Sequence, residues 1–233
     1  MVEGIINMKV LLIIPAYNEE ENIVRVCSDL RKNYSQYDFV VVNDGSTDKT
    51  LELCEKNGFP VISFPVNLGL AGGFQTGMKY GYRKGYDCAL QFDADGQHLP
   101  EYIEMMIQEM KKGYDIVIGS RFVEYKKPLT LRMMGSHLIS AFIKIMTGYR
   151  IKDPTSGMRL FSREIMKDCA EKMNYGPEPD TLAYFLKKGK KVKEVQVKMS
   201  ERIAGESYLN LSKSILYMMR MIISLVFIQN FRD

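Results

Sequence analysis

The apolar positions of this chain fall into short unbroken runs, and longer stretches of mixed polarity separate them. "KVLLII" (9–14), "DFVVVND" (38–44), "FPVISF" (59–64), "DCALQFD" (87–93) and "YDIVIGSR" (114–121) each read as a strand buried on both faces. Between them the period lengthens to that of a helix. Asn18 opens one helix, with Glu21 three residues on as its capping-box partner. "GSTDKTLELCEKNG" predicts a second, beginning in a Ser/Thr/Asp cluster and stopping at Gly58, while Pro100 and Glu101 mark the first turn of another. Strands joined by helices in this way predict an α/β fold, a mostly parallel sheet flanked by helices. After about residue 122 the alternation fades, which predicts a second part packed on the sheet's open edge. No internal repeat or low-complexity linker is present in the sequence.

In such sheets ligands bind beyond the C-terminal strand ends, and the unusual residues fall there. Pro15-Ala-Tyr-Asn-Glu, Asn43-Asp44-Gly45, Asp93-Ala-Asp95 and Gly119-Ser-Arg121 each close a predicted strand. Extended residues two apart share a face, so Asp93, Asp95 and Gln97 are expected to converge. Crowded carboxylates are unfavourable unless a cation joins them. An isolated D-x-D is ordinarily a solvated turn. At the end of a central strand, its hard oxygens suit Mg²⁺ or Mn²⁺ shared with substrate phosphates. Asp44 adds an acceptor for a nucleobase or ribose. "NLGLAGGFQTG" (67–77) matches neither G-x-x-x-x-G-K-[ST] nor a G-x-G-x-x-G after the first strand, which argues against a P-loop kinase and a nicotinamide dehydrogenase. Its glycines instead let a helix approach the sheet or a ligand closely.

The net charge of +4 gives no bulk electrostatic case for nucleic acid. Five lysines crowd "KKGKKVK" (187–193), either a solvated loop or a patch drawn to anionic lipid. Cys27, Cys54, Cys88 and Cys169 form no C-x-x-C pair and fit free thiols in a reducing cytosol better than a disulfide framework. The N-terminal run lacks a basic start and a small-residue cleavage site, so it reads as a first strand and not as a signal peptide. Near the other end, "SILYMMRMIISLVFIQNF" (214–231) is apolar nearly all round. Its core would make a helix roughly 21 Å long, short of the hydrocarbon thickness of about 30 Å. That predicts an interfacial or oligomerising helix. "MMGSHLISAFIKIMTG" (133–148) is a second amphipathic segment with the same potential.

"IIPAYNEEENI", "VVNDGSTDKT", "NLGLAGGFQTG", "DADGQHLP", "GSRF" and "DPTSGMRLFSREI", in this order, resemble the family-2 glycosyltransferases of GT-A fold. The likeness is greatest to the dolichyl-phosphate mannosyltransferase and polyprenyl-phosphate glycosyltransferase branch, over about residues 9–207. It implies a GT-A domain at 1–207 and a C-terminal membrane-associating or oligomerising helix at 208–233. By the same likeness Pro15, Tyr17 and Glu19 line the base and ribose, and Asp44 binds the base. Asp93 lies by the diphosphate and sugar, and Asp95 and Gln97 hold the metal, Mg²⁺ or Mn²⁺. Arg121, Arg132, Ser136 and Arg202 receive an acceptor phosphate, and Asp93, Asp95 and Arg121 form the catalytic group. "RIAGES" (202–207) resembles the family's R-x-x-G-x-S segment, with Tyr208 where a lysine is often found and Lys213 as its substitute.

The implied activity is inverting transfer of a sugar from a nucleotide sugar to polyprenyl (undecaprenyl) phosphate, feeding cell-envelope glycan synthesis. The enzyme would sit peripherally on the cytoplasmic face of the cell membrane, with a small membrane protein or a second copy as partner. The compact chain reads as bacterial, which puts UDP-glucose or UDP-N-acetylglucosamine ahead of GDP-mannose. A phosphate acceptor needs no base, because a phosphomonoester with a second pKa of about 6 is already ionised. A saccharide hydroxyl is the alternative acceptor, with Glu178 or Asp180 as base. A membrane adaptor that keeps the fold without catalysis is a further alternative, and the intact D-x-D argues against it. His98 is expected to pack at a helix start and not to react.

Overall fold

The first apolar run becomes β1 (Val10–Ala16), where every side chain except that of Pro15 is buried. In this computed structural model, residues 8–171, 176–200, 219–221 and 223–224 are described. β2 (Asp38–Asn43), β3 (Val61–Ser63) and β4 (Cys88–Gln91) join β1 as parallel neighbours in the order β3-β2-β1-β4. β5 (Ile116–Ser120), β6 (Arg159–Ser162) and β7 (Val192–Gln196) complete a seven-stranded sheet as β4-β6-β5-β7. β6 is antiparallel to both neighbours, and β7 is parallel to β5.

Successive β1 side chains point to opposite faces, and each face has its own apolar layer. Leu12 and Ile14 pack with Ile23, Val26 and Leu30 of α1 (Ile23–Asn33) and with Ile103, Met106 and Met110 of α4 (Ile103–Lys111). Cys54 brings α2 (Thr50–Lys56) to the same side. Leu11 and Ile13 pack with Phe74 and Met78 of α3 (Gly69–Arg83) and with buried residues of α5 (Leu131–Thr147), α6 (Arg163–Glu171) and α7 (Pro179–Lys187). The four cysteines are free and buried among these layers; burial raises Cys54 to about 11 and Cys88 and Cys169 to about 12.

Glycines set how near α3 comes to the sheet. A Cβ on Gly77 would collide with the Ile13 side chain, and one on Gly81 would lie 3.1 Å from a Leu11 methyl. This contact puts the α3 N-terminus beside the ends of β1 and β2, where Gly73 faces Pro15 and Val42.

Three expectations need correction. Asn18 does not start a helix: its φ is +54°, and α1 begins at Ile23 without a side-chain cap. The sequence after residue 122 does not merely pack on an edge, because β6 inserts between β4 and β5. β4 ends at Gln91, so Asp93 and Asp95 lie in a turn rather than on an extended strand. The lysine run, read as a solvated loop or a lipid-drawn patch, joins α7 to β7 at the start of β5, where Lys191 O receives the Asp115 and Ile116 amides. It therefore lies across the sheet from the C-terminal strand ends. The expected boundary at 207/208 lies outside the described residues.

Candidate active site

The loops after β1 and β2 clasp each other. Asn18 Oδ1 accepts the Thr47 amide at 2.9 Å, and the Asn18 amide donates to Ser46 Oγ at 3.0 Å. The Glu19 amide donates to Thr50 Oγ1, the Glu20 amide to Asp48, and the Lys49 amide back to Glu20 Oε2. Left-handed Asn18 turns its backbone into this ladder, and helix formation there would remove it. Pro15, Tyr17, Glu19 and Asp44 are held together as a result. The Asp44 amide donates to Ala16 O at 2.9 Å, between Pro15 and Tyr17. Its carboxylate, 6% exposed, accepts the Leu68 amide at 2.6 Å through Oδ1. Gly45 closes this corner, since a Cβ there would lie 2.5 Å from the Val66 carbonyl carbon. Tyr17, Val66, Leu68 and Leu70 leave exposed apolar surface around a single buried carboxylate. That combination suits a planar base with one N–H to satisfy.

Beyond β4 the chain turns through Gly96, whose φ is +77°. Asp95 is buried, and its Oδ1 accepts the Gln97 amide at 3.0 Å. Gln97 is tied to Ser200 in both directions, by Ser200 N–H to Gln97 O at 3.0 Å and by its own Nε2 to Ser200 O. Asp93 is partly exposed and is held from behind. Gln91 Nε2 donates to its Oδ1, its amide donates to His98 Nδ1 at 2.9 Å, and His98 Nε2 lies 3.4 Å from its Oδ2. With Nδ1 accepting the Asp93 amide, the neutral imidazole carries its proton on Nε2. His98 thus does more than pack at a helix start: it orients Asp93. A Cβ on Gly157 would lie 2.8 Å from Asp93 Oδ2, so glycine leaves room for this carboxylate.

Among the described residues no group of three or more His, Cys, Asp or Glu forms a metal cage. The donors at this turn are two carboxylates and an amide, all hard oxygens. They fit a Mg²⁺ or Mn²⁺ ion that takes most of its shell from water and a substrate diphosphate.

The third group lies past β5. Arg121 makes a two-bonded fork with fully buried Asp153, Nε to Oδ2 and Nη2 to Oδ1, both at 2.8 Å. Burial opposes its charge, but the bonds and charge of Asp153 leave its pKa above the ordinary arginine value. Lys127, which the sequence did not single out, donates to Ser136 Oγ at 2.8 Å. Its Nζ and the Arg121 guanidinium both lie over the Phe122 ring, at 5.3 and 5.2 Å. Ser136 Oγ is 3.3 Å from Thr155 Oγ1. Two cations and two hydroxyls meet at one place, a combination of groups suited to an anion. Arg132 belongs to the first turn of α5, its side chain lying outside what is described; Arg202, Tyr208 and Lys213 lie outside the described residues.

Residues 153–158 connect this group to the D-x-D turn. Asp153 holds Arg121, Thr155 meets Ser136, and Gly157 faces Asp93. Ser156 Oγ donates to Gly119 O at 2.5 Å, and the Gly119 amide returns to Met158 O at 2.8 Å. Arg159, 2% exposed, braces the segment from within by donating to the Ser156 and Pro154 carbonyls. Asp180 is buried too, accepting the Thr181 amide at 2.8 Å and the Ser224 hydroxyl at 2.5 Å. Both its oxygens are engaged, as in a structural carboxylate.

The chain is similar to known glycosyltransferases. An undecaprenyl-phosphate mannosyltransferase of Micrococcus luteus is 33% identical over 212 residues, covering 86% of this chain and 87% of that protein. A UDP-N-acetylglucosamine–dolichyl-phosphate N-acetylglucosaminyltransferase of Methanococcus voltae is 33% identical over 186 residues, covering 70% and 73%. The crystal structure of glucosyl-3-phosphoglycerate synthase from Mycobacterium tuberculosis with Mn²⁺ and UDP-glucose superposes with a TM-score of 0.69, at 18% identity, covering 97% of this chain and 80% of that one. The fold is GT-A. The sequence pattern of Glycosyl transferase family 2 matches residues 11–169, more than half of the chain. The protein belongs to glycosyl transferase family 2.

Proposed function

We propose that this chain transfers a sugar from a nucleotide sugar to a polyprenyl phosphate at a membrane surface, with the GT-A domain at 1–207 and the segment 208–233 as a membrane-associating element. The observation that carries this reading is the anion pocket of Arg121, Lys127, Ser136 and Thr155, joined to the D-x-D turn by residues 153–158. Pro15, Tyr17, Glu19 and Asp44 hold the base and ribose. Asp93, oriented by His98, lies by the sugar and diphosphate. Asp95 and Gln97 hold Mg²⁺ or Mn²⁺, and such an ion, when bound, neutralises the charge developing on the leaving diphosphate. Arg121 and Lys127 orient the acceptor phosphate, with Arg132 and Arg202 as further anion contacts. One of its oxygens bonds to the anomeric carbon as the bond to the diphosphate breaks, and the nucleoside diphosphate leaves. In-line displacement inverts that centre. No protein base is required, in agreement with the engaged Asp180.

UDP-glucose or UDP-N-acetylglucosamine is the donor in this reading, supported by the UDP-N-acetylglucosamine-dependent relative. GDP-mannose is the second reading, favoured by the mannosyltransferase relative. The test is nucleotide release from each of the three donors with Mg²⁺ or Mn²⁺, with and without undecaprenyl phosphate. Lipid-dependent release from one donor is expected. Release that ignores the lipid and responds to a saccharide would replace this reading with hydroxyl transfer.

A further inference from the structure

Cations and tyrosines gather at the N-terminal ends of the parallel strands, across the sheet from the D-x-D turn. Lys9 precedes β1, Lys84 precedes β4, Arg163 follows antiparallel β6, and Lys188 and Lys193 flank the start of β7. Each of these charges is set over a tyrosine ring. Lys9 lies 4.4 Å from the centre of Tyr86, Arg163 4.8 Å from Tyr82 and Lys188 5.5 Å from Tyr184. Lys84 and Lys193 lie over Tyr80 and Tyr114 in the same way. Among the described residues none of the five cations pairs with a carboxylate, and all but half-buried Lys193 are exposed. The acids nearby are engaged by the protein itself. Asp87 accepts the Lys9 amide and Asp115 the Lys191 amide, both at 2.8 Å, while Asp38 accepts the Tyr86 hydroxyl at 2.9 Å and Glu164 pairs with Lys190. β1, β4, β6, β5 and β7 are successive neighbours, so at about 4.8 Å per strand the row is about 19 Å long.

A row of cations without carboxylate partners is complementary to an anion of matching length, and its surroundings decide which kind. Single-stranded nucleic acid stacks its bases on open aromatic faces. Here each ring has a cation over one face, and Tyr86 is only 6% exposed. A bilayer takes up apolar side chains along with cations. Segments 80–88, 112–116, 161–165 and 186–193 hold no exposed large hydrophobic side chain. An acidic polypeptide needs neither feature. Its carboxylates meet cations that the rings already hold in place, so less side-chain entropy is lost on pairing. We propose that this end of the sheet binds an acidic, extended segment of a soluble protein partner, through Lys9, Arg163 and Lys188 with Lys84 and Lys193 beside them. About six extended residues, at about 3.3 Å each, span the row. Its place across the sheet leaves the candidate active site open while the partner is bound.

The test is fluorescence anisotropy of a labelled oligoglutamate peptide titrated with the full chain at low salt, with polyuridylate RNA and phosphatidylglycerol vesicles as competitors. Arg163→Gln/Lys188→Gln is expected to lower peptide affinity about tenfold, and added salt should produce a similar loss. Lys126→Gln/Lys152→Gln removes the same charge beside the loop after β5 and should leave the affinity unchanged. Tyr82→Leu alters no charge, yet losing the ring beneath Arg163 should weaken binding about threefold. Tyr82→Phe keeps that ring and should bind as the wild type does, which separates the cation–ring contact from any loss of fold. Equal losses in the two double variants would mean diffuse attraction and overturn the proposal. So would a wild-type chain that ignores the peptide. RNA or vesicles that outcompete the peptide, and that lose affinity with Arg163→Gln/Lys188→Gln, would overturn it too and assign the row to that partner.

Discussion

Lys127 occupies an unusual electrostatic position for a lysine. Burial lowers its pKa, and Arg121 adds to that, while Asp153 and Glu194 oppose it. Its ammonium donates to a serine hydroxyl and, among the described residues, pairs with no carboxylate. A half-desolvated cation of this kind gains more from an arriving phosphate dianion than a fully hydrated one does. Lys127→Met should therefore raise the acceptor KM about tenfold or more while changing kcat less, and Lys127→Arg should retain most of the affinity. The pH profile carries the same signature. A depressed pKa means that the positive charge is lost at a pH below the ordinary lysine value of about 10.4. Acceptor kcat/KM should fall on that alkaline limb, Lys127→Arg should move the limb upward, and a low limb should appear at about pH 6 from the phosphate itself. A profile flat to pH 10 would remove Lys127 from acceptor binding.

At the scale of elements, the approach of α3 to β1 decides where the nucleotide-side loops end up. Gly77→Val would drive two methyl groups into Ile13, and such overpacking costs about 1–3 kcal/mol. Ile13→Ala should restore part of that loss, so thermal unfolding of the two single variants and the double variant should be markedly non-additive. Additive losses would mean that α3 is positioned by other contacts. The glycine-rich helix was legible in the sequence because a helix pressed on a sheet needs small residues, and β1, β2, β4 and β5 were legible as apolar runs. β6 was not. It has four residues, it begins with the buried Arg159, and it is antiparallel, so its partners are set by tertiary contacts rather than by its own pattern. The Asn18 capping box failed because a side-chain oxygen can serve a distant loop as readily as its own helix. The D-x-D was readable as a motif but not as geometry, since the left-handed Gly96 sets the turn. Asp153 was visible within a quoted motif, whereas Lys127 in "YKKPLT" carries no local signal and is recognised only once Ser136 is beside it.

Across the whole molecule, the sheet carries the Asp44 corner, the D-x-D turn and the Arg121–Lys127–Ser136 group along the C-terminal ends of its strands. Buried Arg159 and the segment it braces transmit position from Asp93 to Arg121 without any ligand. The lysine run lies at the other end of the sheet. The proposed reaction is transfer of the sugar to a phosphate and not to a hydroxyl. It is tested most directly by supplying the preferred donor with undecaprenyl phosphate, with the free alcohol undecaprenol and with a saccharide, and identifying the product by mass. A single product is expected, the glycosyl ester of the lipid phosphate, lost on metal chelation and in Asp95→Ala and retained in Asp180→Asn if that protein folds. Glycosylated undecaprenol or saccharide, formed by the wild type and abolished in a folded Asp180→Asn, would contradict it.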